Sequence, residues 1–408
     1  MWMERFFSQR ARSVRRSVLR ELLKFTQRPE IISFAGGTPD PNTFPWEELA
    51  EIAAREIRER YALSLQYSTT EGDIGLREEL LKVVRADGIQ AELDEIVITT
   101  ASQQGLDLIA RTLLDPGDVV YVELPTYLGA IQAFRAVGAR LVGIPLEDDG
   151  MDLDALRERI AADKARGERA KFIYVIPDFQ NPAGVRWSEE KRRELLGIAA
   201  AADLLVVEDA PYRALRFAGA PIPSLKALDR EGRVVFLFTL SKILAPGLRI
   251  AALIGNGTIV DKIVAMKQAA DLCTPALTQA LAREFLRRHD LDAHMEKIRA
   301  CYREKRDRML AALGRYMPEG VRWTEPEGGL FLWVTLPEGV DTERMFPKAL
   351  ERKVAYVIGA PFFVDGTGRN TMRLSFAIAT PDEIEEGVRR LAEVVKEELA
   401  ALSAPAQV

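Results

Sequence analysis

Between residues 46 and 257, short apolar runs alternate with stretches that have amphipathic helical spacing. The runs are rich in valine and isoleucine, and turn residues or helical spacing bound each of them. This alternation predicts βαβ units around a mostly parallel sheet. The predicted strands are Ile96–Thr99, Val119–Val122, Leu141–Ile144, Phe172–Ile176, Leu204–Val207, Val234–Phe238 and Ala251–Ile254.

After this region the pattern changes. Charges spaced for a solvated face predict a long helical region from about Pro275 to Tyr316. The apolar segments GLFLWVTL, AYVIGAPFF and TMRLSFA follow, with helices predicted from Thr342 and from Pro381, which together indicate a smaller α+β domain. We therefore predict three parts: an N-terminal helix and arm (1–45), a large domain (46–285) and a small domain (286–408).

Size and composition favour a two-domain protein that handles small molecules. The chain has 408 residues, more than one hydrophobic core usually serves, and 48% of them are hydrophobic. A net charge of -5 leaves no basic surplus for nucleic acid as a main partner. Cys273 and Cys301 suit neither a disulfide framework nor a zinc site, and no apolar run is long enough to cross a membrane. We expect a cytoplasmic protein without a metal.

The first 20 residues are rich in arginine and serine and poor in acid, a composition that is typical of organellar transit peptides. The amphipathic pattern nevertheless runs on without a break through Glu21 and Lys24 toward IISFAGGTP. That continuity favours a structural helix that leads into the fold.

The residue inventory excludes several kinds of catalytic site. The only histidines, His289 and His294, lie together in the charged stretch RRHDLDAHMEK, so neither a Ser-His-Asp triad nor a metal cage is readily built. There is no GxxxxGK[ST] loop, and GNGTIV at Gly255 lacks the third glycine of the dinucleotide fingerprint. Nucleotide and nicotinamide enzymes are therefore disfavoured.

Polar clusters follow the predicted strands instead. Each cluster alone has a structural explanation as a helix cap, a turn or a core aromatic. Five of them in succession predict a site at the carboxyl edge of the sheet. They are Ser102-Gln103-Gln104, Pro125-Thr126-Tyr127, Gln180-Asn181-Pro182, Asp209 with Tyr212, and Thr239-Leu240-Ser241-Lys242. Lys242 ends the apolar run VVFLFTLSK, which offers the shelter that a Schiff-base lysine needs.

These segments resemble the fold type I pyridoxal-phosphate aminotransferases over nearly the whole chain. The resemblance is carried by SFAGGTPDP, QNPAG, VVEDAPY, TLSKILAPGLR and MRLSFA. SVLRELLKFTQRP and QYSTTEGDIGLRE look most like the branch of 2-aminoadipate, kynurenine and broad-specificity aromatic aminotransferases. The resemblance implies an α/β large domain and a smaller α+β domain. It also implies bound pyridoxal phosphate and transfer of an amino group from an amino acid to a 2-oxo acid such as 2-oxoglutarate.

The resemblance also implies a role for each candidate residue. Lys242 would carry the cofactor and move the substrate proton, and Asp209 would hold the protonated ring nitrogen. Tyr212 and Asn181 would reach the phenolic oxygen. The residues expected around the phosphate and the ring face are Ser102, Gln103, Tyr127, Thr239, Ser241, Arg249, and Tyr67 from a partner subunit, which makes the active unit a homodimer.

For the substrate, the resemblance places Arg373 and Asn181 at the α-carboxylate, because a guanidinium matches a carboxylate in shape and charge. Gly36 and Gly37 would let the backbone pass close to the substrate. Two interpretations of Arg20 remain open: it meets a distal carboxylate of the side chain, or it is one more solvated charge on a basic helix.

Some departures and alternatives stay open. Ala183, Thr239 and Ala245 stand where the family usually has a threonine, a serine and a small polar residue, which affects specificity more than reaction class. The same fold also supports lyases and racemases. A third alternative is a non-catalytic regulator, although we expect too little chain before residue 33 for a helix-turn-helix domain.

Overall fold

A computed structural model describes residues 2–13 and 28–403 of the chain. Its strands are β1 Ile32–Ser33, β2 Ile96–Thr100, β3 Val119–Leu124, β4 Arg140–Glu147, β5 Gly150–Met151, β6 Ala170–Val175, β7 Leu205–Asp209, β8 Val234–Thr239, β9 Ile250–Ile254, β10 Arg322–Trp323, β11 Phe331–Thr335, β12 Val354–Ala355, β13 Val357–Ile358 and β14 Thr371–Ser375.

The α-helices of the described residues alternate with these strands in the first two thirds of the chain. They are α1 Gln9–Ser13, α2 Trp46–Glu59, α3 Tyr61–Ser64, α4 Ile74–Ala86, α5 Ala101–Leu113, α6 Leu128–Ala136, α7 Leu153–Ala165, α8 Glu189–Ala201, α9 Leu225–Leu228, α10 Gly257–Ala270, α11 Ala276–Arg288, α12 Leu291–Tyr316, α13 Thr342–Glu351 and α14 Pro381–Ser403.

The large sheet has eight strands in the order β2-β9-β8-β7-β6-β3-β4-β5. Every predicted strand overlaps one of them, and the prediction of a mostly parallel sheet is confirmed. Only β9 and β5 run against the common direction. The strands are buried on both sides, which is why they read as continuous valine- and isoleucine-rich runs rather than as an alternating pattern.

The reversal of β9 has a simple cause. A parallel crossover needs a dozen or more residues and usually a helix, whereas residues 240–249 form only two 3₁₀ turns, Leu240–Lys242 and Pro246–Leu248. The chain therefore returns antiparallel beside β8. As a result, one short connection carries both Lys242 and Arg249.

Successive residues of a strand pack in two separate hydrophobic cores. On β3, Val120 belongs to a core shared with α5 and the small domain, and Tyr121 belongs to a second core with Leu156 of α7 and Leu195 of α8. Because successive strand residues point to opposite faces, the sheet is covered on both sides. This leaves the edge formed by strand ends and loops as the accessible part of the sheet.

The long helical region expected from Pro275 to Tyr316 is confirmed, and it consists of two helices, α11 and α12. His289 and Asp290 separate them, and the Asp290 carboxylate accepts the backbone N–H groups of residues 292 and 293. An aspartate in this position caps a new helix N-terminus, which explains the break.

The C-terminal part contains a four-stranded antiparallel sheet in the order β10-β11-β14-β13. In it, Arg373 of β14 lies between Trp333 of β11 and Val357 of β13. β1 pairs with β12, so the N-terminal arm is tied to this part of the fold. The domain limits given above remain predictions. Within the described residues, no helix is both long and apolar enough to span a membrane.

Candidate active site

Five strands bring the predicted residues to one edge of the large sheet. β2, β3, β6, β7 and β8 run in the same direction, so their carboxyl ends lie on the same side. Ser102, Tyr127, Asn181 and Lys242 follow four of these ends, and Asp209 is the last residue of β7. The expected cluster at the carboxyl edge of an α/β sheet is present.

Lys242 lies half-buried in this cluster. Its Nζ donates a hydrogen bond to the backbone oxygen of Gly37 at 2.8 Å. Burial, together with the positive charges of Arg373 and Arg249, lowers the pKa of Lys242 to about 8. An amine with a depressed pKa is neutral, and hence nucleophilic, at mildly alkaline pH.

Asp209 is buried, and one of its two carboxylate oxygens has a hydrogen-bond partner among the described residues. The hydroxyl of Tyr174 donates to its Oδ2 at 2.9 Å, while its Oδ1 has no hydrogen-bond partner in the part of the chain that the structure describes. Burial raises the pKa of Asp209 to about 7. A buried acceptor that the protein leaves unpaired is a natural partner for a donor on a bound molecule.

Arg373 is buried on the other side of the cluster. Its Nη1 donates to Oδ1 of Asn181 at 2.8 Å, and its Nη2 donates to the backbone oxygen of Ala35 at 3.1 Å. The guanidinium lies 4.1 Å from the ring centroid of Phe331, a cation–π contact. Burial lowers the pKa of Arg373 to about 10. Since no carboxylate is paired with it among the described residues, it can take an anionic group.

Asn181 connects Arg373 to Tyr212. Its Nδ2 donates to the Tyr212 hydroxyl at 3.4 Å, and the ring of Tyr212 packs edge-on against Phe331, with 5.5 Å between the centroids. Burial raises the pKa of Tyr212 above its ordinary range, so its hydroxyl stays protonated and able to donate.

A group of hydroxyls and a cation meet at the start of α5. The Ala101 N–H donates to the Arg249 backbone oxygen at 3.1 Å, which places the Arg249 backbone beside the helix N-terminus, while its Nη1 donates to the Pro246 backbone oxygen at 3.3 Å. Ser102 Oγ is buried and has no partner among the residues described. Thr239 Oγ1 donates to Ser241 Oγ at 2.9 Å. Free helix N–H groups, hydroxyls and a guanidinium together suit a phosphate.

Gln103 and Tyr127 lie at the rim of the cluster. Nε2 of the exposed Gln103 donates to the backbone oxygen of Gly129 at 3.0 Å, and the Tyr127 hydroxyl lies 3.4 Å from Oε1 of Gln103. The pair connects the loop after β3 with the first turn of α5.

Two predicted residues are not brought together with the others. Tyr67 is 78% exposed and lines a separate surface groove of about 450 Å³ with Arg60, Asp73 and Arg283. Arg20 lies outside the described residues.

Comparison with known proteins decides the family. The model of the family "Aminotransferase class I and II" matches residues 30–391. The chain belongs to the class I and II aminotransferases. The resemblance predicted from the sequence is thereby confirmed, as is the type of enzyme.

Two curated aminotransferases match over nearly their full length. Aromatic-amino-acid aminotransferase 1 of Thermococcus litoralis is 45% identical over 97% of this chain and 95% of its own length. The 2-aminoadipate transaminase of Thermus thermophilus is 46% identical over 98% of both chains. Among solved structures, Pyrococcus horikoshii kynurenine aminotransferase in complex with PMP is 47% identical, with a TM-score of 0.94 and coverage of 97% and 98%.

Aminotransferases of this family depend on pyridoxal phosphate, and the site fits that group. A pyridinium N–H needs a buried acceptor, and Asp209 Oδ1 is one. A phosphate needs donors, which the start of α5 and the unpaired hydroxyl of Ser102 offer. The cofactor aldehyde needs an amine of depressed pKa, which Lys242 supplies.

The described residues contain no group of three or more His, Cys, Asp or Glu side chains able to hold a metal ion.

Two residues that contact the predicted site residues were not predicted from the sequence. Tyr174 bonds Asp209, and the Phe331 ring lies against Arg373. Tyr174 is on β6, paired with Val207 two residues before Asp209. That contact follows from strand register, which the one-dimensional pattern does not contain. Phe331 lies on β11 of the four-stranded sheet, and only a tertiary structure reveals its contact.

Proposed function

We propose that Lys242 binds pyridoxal phosphate covalently and that Asp209 accepts the hydrogen of the cofactor ring nitrogen. The observation that carries this proposal is the unpaired, fully buried Oδ1 of Asp209. Asn181 and Tyr212 donate hydrogen bonds toward the phenolic oxygen of the ring, and Tyr127 covers a ring face. The phosphate is held by Ser102, Gln103, Thr239, Ser241 and Arg249.

When bound, the cofactor supplies an electron sink for the electron pair released at the substrate Cα. The protein supplies the proton movement. With cofactor and amino acid bound, the amine of Lys242 would be the group that takes up and moves the substrate Cα proton. Its lowered pKa makes it a competent base near neutral pH.

Arg373 binds the substrate α-carboxylate, and Asn181 orients it. Support comes from the buried guanidinium, whose Nε has no partner among the described residues. The backbone at Gly37 passes close to these groups, since a Cβ there would be in ordinary van der Waals contact with the Phe331 ring at 3.5 Å and with the Arg373 guanidinium at 3.7 Å.

The amino donors that we propose are 2-aminoadipate, glutamate, and aromatic and leucine-like amino acids, with 2-oxoglutarate as the acceptor. Relatives named for aromatic amino acids, 2-aminoadipate and kynurenine support this range. We further propose a cytoplasmic homodimer in which Tyr67 of one subunit reaches the phosphate of the other. The high exposure of Tyr67 supports that role.

The test is a single turnover. One equivalent of amino acid added to the cofactor-loaded protein should release one equivalent of 2-oxo acid and leave the cofactor in its amine form. A lyase or a racemase would leave the cofactor in its aldehyde form. Borohydride reduction followed by peptide mapping should find the cofactor on Lys242, and a label on any other lysine would refute the assignment.

The same assay tests Arg20. Arg20→Ala should reduce turnover of 2-aminoadipate and glutamate by about 10-fold or more and leave leucine nearly unchanged, because only acidic side chains lose an ion pair. Arg16→Ala, a second arginine of the same N-terminal segment, is the matched control. Equal losses for acidic and apolar donors would assign Arg20 to a structural role.

A further inference from the structure

Glu123, on β3, is a fully buried acid that the roles above do not use. Its Oε1 accepts a hydrogen bond from the Trp187 indole N–H at 2.8 Å. Its Oε2 accepts two more, from the Ile176 N–H at 3.1 Å and from Gln180 Nε2 at 3.0 Å. Along residues 28–403 no cation forms an ion pair with it.

This arrangement requires a group that only accepts. Both oxygens of Glu123 face donors, so an amide at this position would direct an NH₂ group toward another donor. Burying an acid without a cation is costly and raises the pKa of Glu123, whereas the hydrogen bonds from Gln180, Trp187 and Ile176 favour the carboxylate, the form that only accepts. The fold therefore keeps an unfavourable group whose main effect is to orient its donors.

Gln180 is the donor that leads to the site. Its Nε2 also donates to the Pro125 backbone oxygen at 2.8 Å, and its Oε1 accepts from the Ala183 N–H at 2.8 Å. One amide thus fastens the loop after β3 to the loop after β6. Asn181 is the next residue of that second loop.

We propose that Glu123 is a positioning residue that acts through Gln180 to set the side chain of Asn181. If the Gln180 amide rotates or withdraws, the loop that carries Asn181 loses its attachment to β3. The two hydrogen bonds that Asn181 makes at the site, with Arg373 and Tyr212, then change together. This inference rests on the role proposed above for Asn181.

The structure offers a matched control. Glu208 is also a fully buried acid, on β7, which is separated from β3 by β6 in the same sheet, and burial raises its pKa as well. It precedes Asp209, but successive strand residues point to opposite faces, and its carboxylate accepts the N–H groups of Leu225 and Lys226 at the start of α9. Glu208→Gln is therefore the same chemical change at equal burial without the connection to Asn181.

The experiment compares Glu123→Gln with Glu208→Gln in the cofactor-loaded protein. Both should lower the melting temperature. Only Glu123→Gln should raise KM for the amino donor, by about 10-fold, because a small displacement of positioning groups is enough to disturb substrate alignment. It should also shift the pH at which the absorbance spectrum of the bound cofactor changes. The reason is that Asn181 and Tyr212 would contact the phenolic oxygen of the cofactor ring.

A double-mutant cycle makes the test sharper. In an Asn181→Ala background, Glu123→Gln should change KM by less than about 2-fold, because residues that act through one another are not additive. An undiminished effect in that background, or equal KM and absorbance effects for the two glutamate variants, would overturn the proposal. If Glu123→Gln does not fold, Gln180→Ala removes the same bridge and is judged by the same criteria.

Failure of this inference is distinguishable from failure of the proposed function. The wild-type single turnover and the borohydride label on Lys242 do not depend on Glu123. They would remain positive if only the positioning role were wrong.

Discussion

Asp209 and Lys242 show how burial prepares single residues for chemistry. Burial raises the pKa of the acid to about 7 and lowers that of the amine to about 8. Both shifts favour the neutral form, because a charge is costly where water is excluded. In the free site the two groups therefore carry less charge than they would on the surface, and a bound ring N–H compensates Asp209.

The first prediction concerns the pH dependence of cofactor-free stability. The folded pKa of Asp209 is raised, so its stabilising contribution is full below its ordinary value of 3.8 and is lost as pH rises toward about 7. Between about pH 5 and pH 7, wild type should lose about 2 kcal/mol relative to Asp209→Asn. Urea unfolding of both proteins across this range measures the difference.

Cofactor-loaded wild type is the control, because a ring N–H bonded to Asp209 favours the carboxylate and removes that loss. A stability difference between the cofactor-free proteins that is constant with pH would contradict the prediction.

At the scale of elements, α12 is attached to the turn that carries the lysine. Nε2 of His294 lies 2.8 Å from the backbone oxygen of Ile243, the residue after Lys242. Because a carbonyl accepts, Nε2 is the protonated nitrogen. Burial lowers the pKa of His294, which favours the neutral ring. A helix after the large sheet thus fixes the connection between β8 and β9.

The second prediction is that His294→Ala destabilises the protein by about 1–2 kcal/mol, because the Ile243 oxygen loses its donor. His294→Gln, whose amide can donate, should recover part of this loss. His289→Ala is the control, since His289 stacks on the same Phe285 ring without contacting Ile243. Denaturant unfolding of the three variants provides the measurement.

The direction in which pH changes stability provides a further check on His294. The folded pKa of His294 is depressed, so its contribution is present above the unfolded value of about 6.5 and is lost as pH falls below it. His294→Gln should remove that loss on the acid side. If wild type and His294→Gln depend on pH identically, the burial of His294 does not lower its pKa as described.

Some elements could be predicted from the sequence and others could not. The strands were predictable because buried parallel strands are continuous apolar runs. Residues such as Asp209 and Lys242 were predictable because ligand sites form at the carboxyl ends of strands. The break at Asp290 and the direction of β9 were not part of the prediction, although a capping aspartate and a short connection are both visible in the sequence. The contacts of Tyr174 and Phe331 depend on register and on domain packing, which no local pattern contains.

At the scale of the whole molecule, one surface of the chain is unusually apolar. Tyr61, Leu63, Leu65, Tyr67 and Ile74 are all more than half exposed. Exposed apolar side chains in one region of a soluble chain mark an interaction surface. Since Tyr67 belongs to this set, covering it with a second copy would also complete the proposed phosphate site.

The third prediction uses mixed dimers. Lys242→Ala and Tyr67→Ala should each be strongly impaired. Unfolding them together and refolding the mixture should restore activity to about a quarter of wild type, because half of the dimers are mixed and each has one intact site. Specific activity after refolding is the measurement. Lys242→Ala mixed with Asp209→Ala is the control and should show no recovery, because both residues come from the same subunit.

Recovery in the control pair, or none in the test pair, would place Tyr67 outside the neighbouring subunit's site.

The short connection between β8 and β9 sets a limit on redesign. The entropic cost of closing a loop depends only weakly on its length, so this cost alone does not forbid an inserted residue. Residues 240–249 have a further constraint if the proposed roles hold, because Lys242 and Arg249 would serve two ends of one bound molecule from one connection between paired strands. An insertion or deletion there changes the spacing between the covalent anchor and the phosphate. We therefore expect this loop to be the least tolerant position for circular permutation or loop grafting.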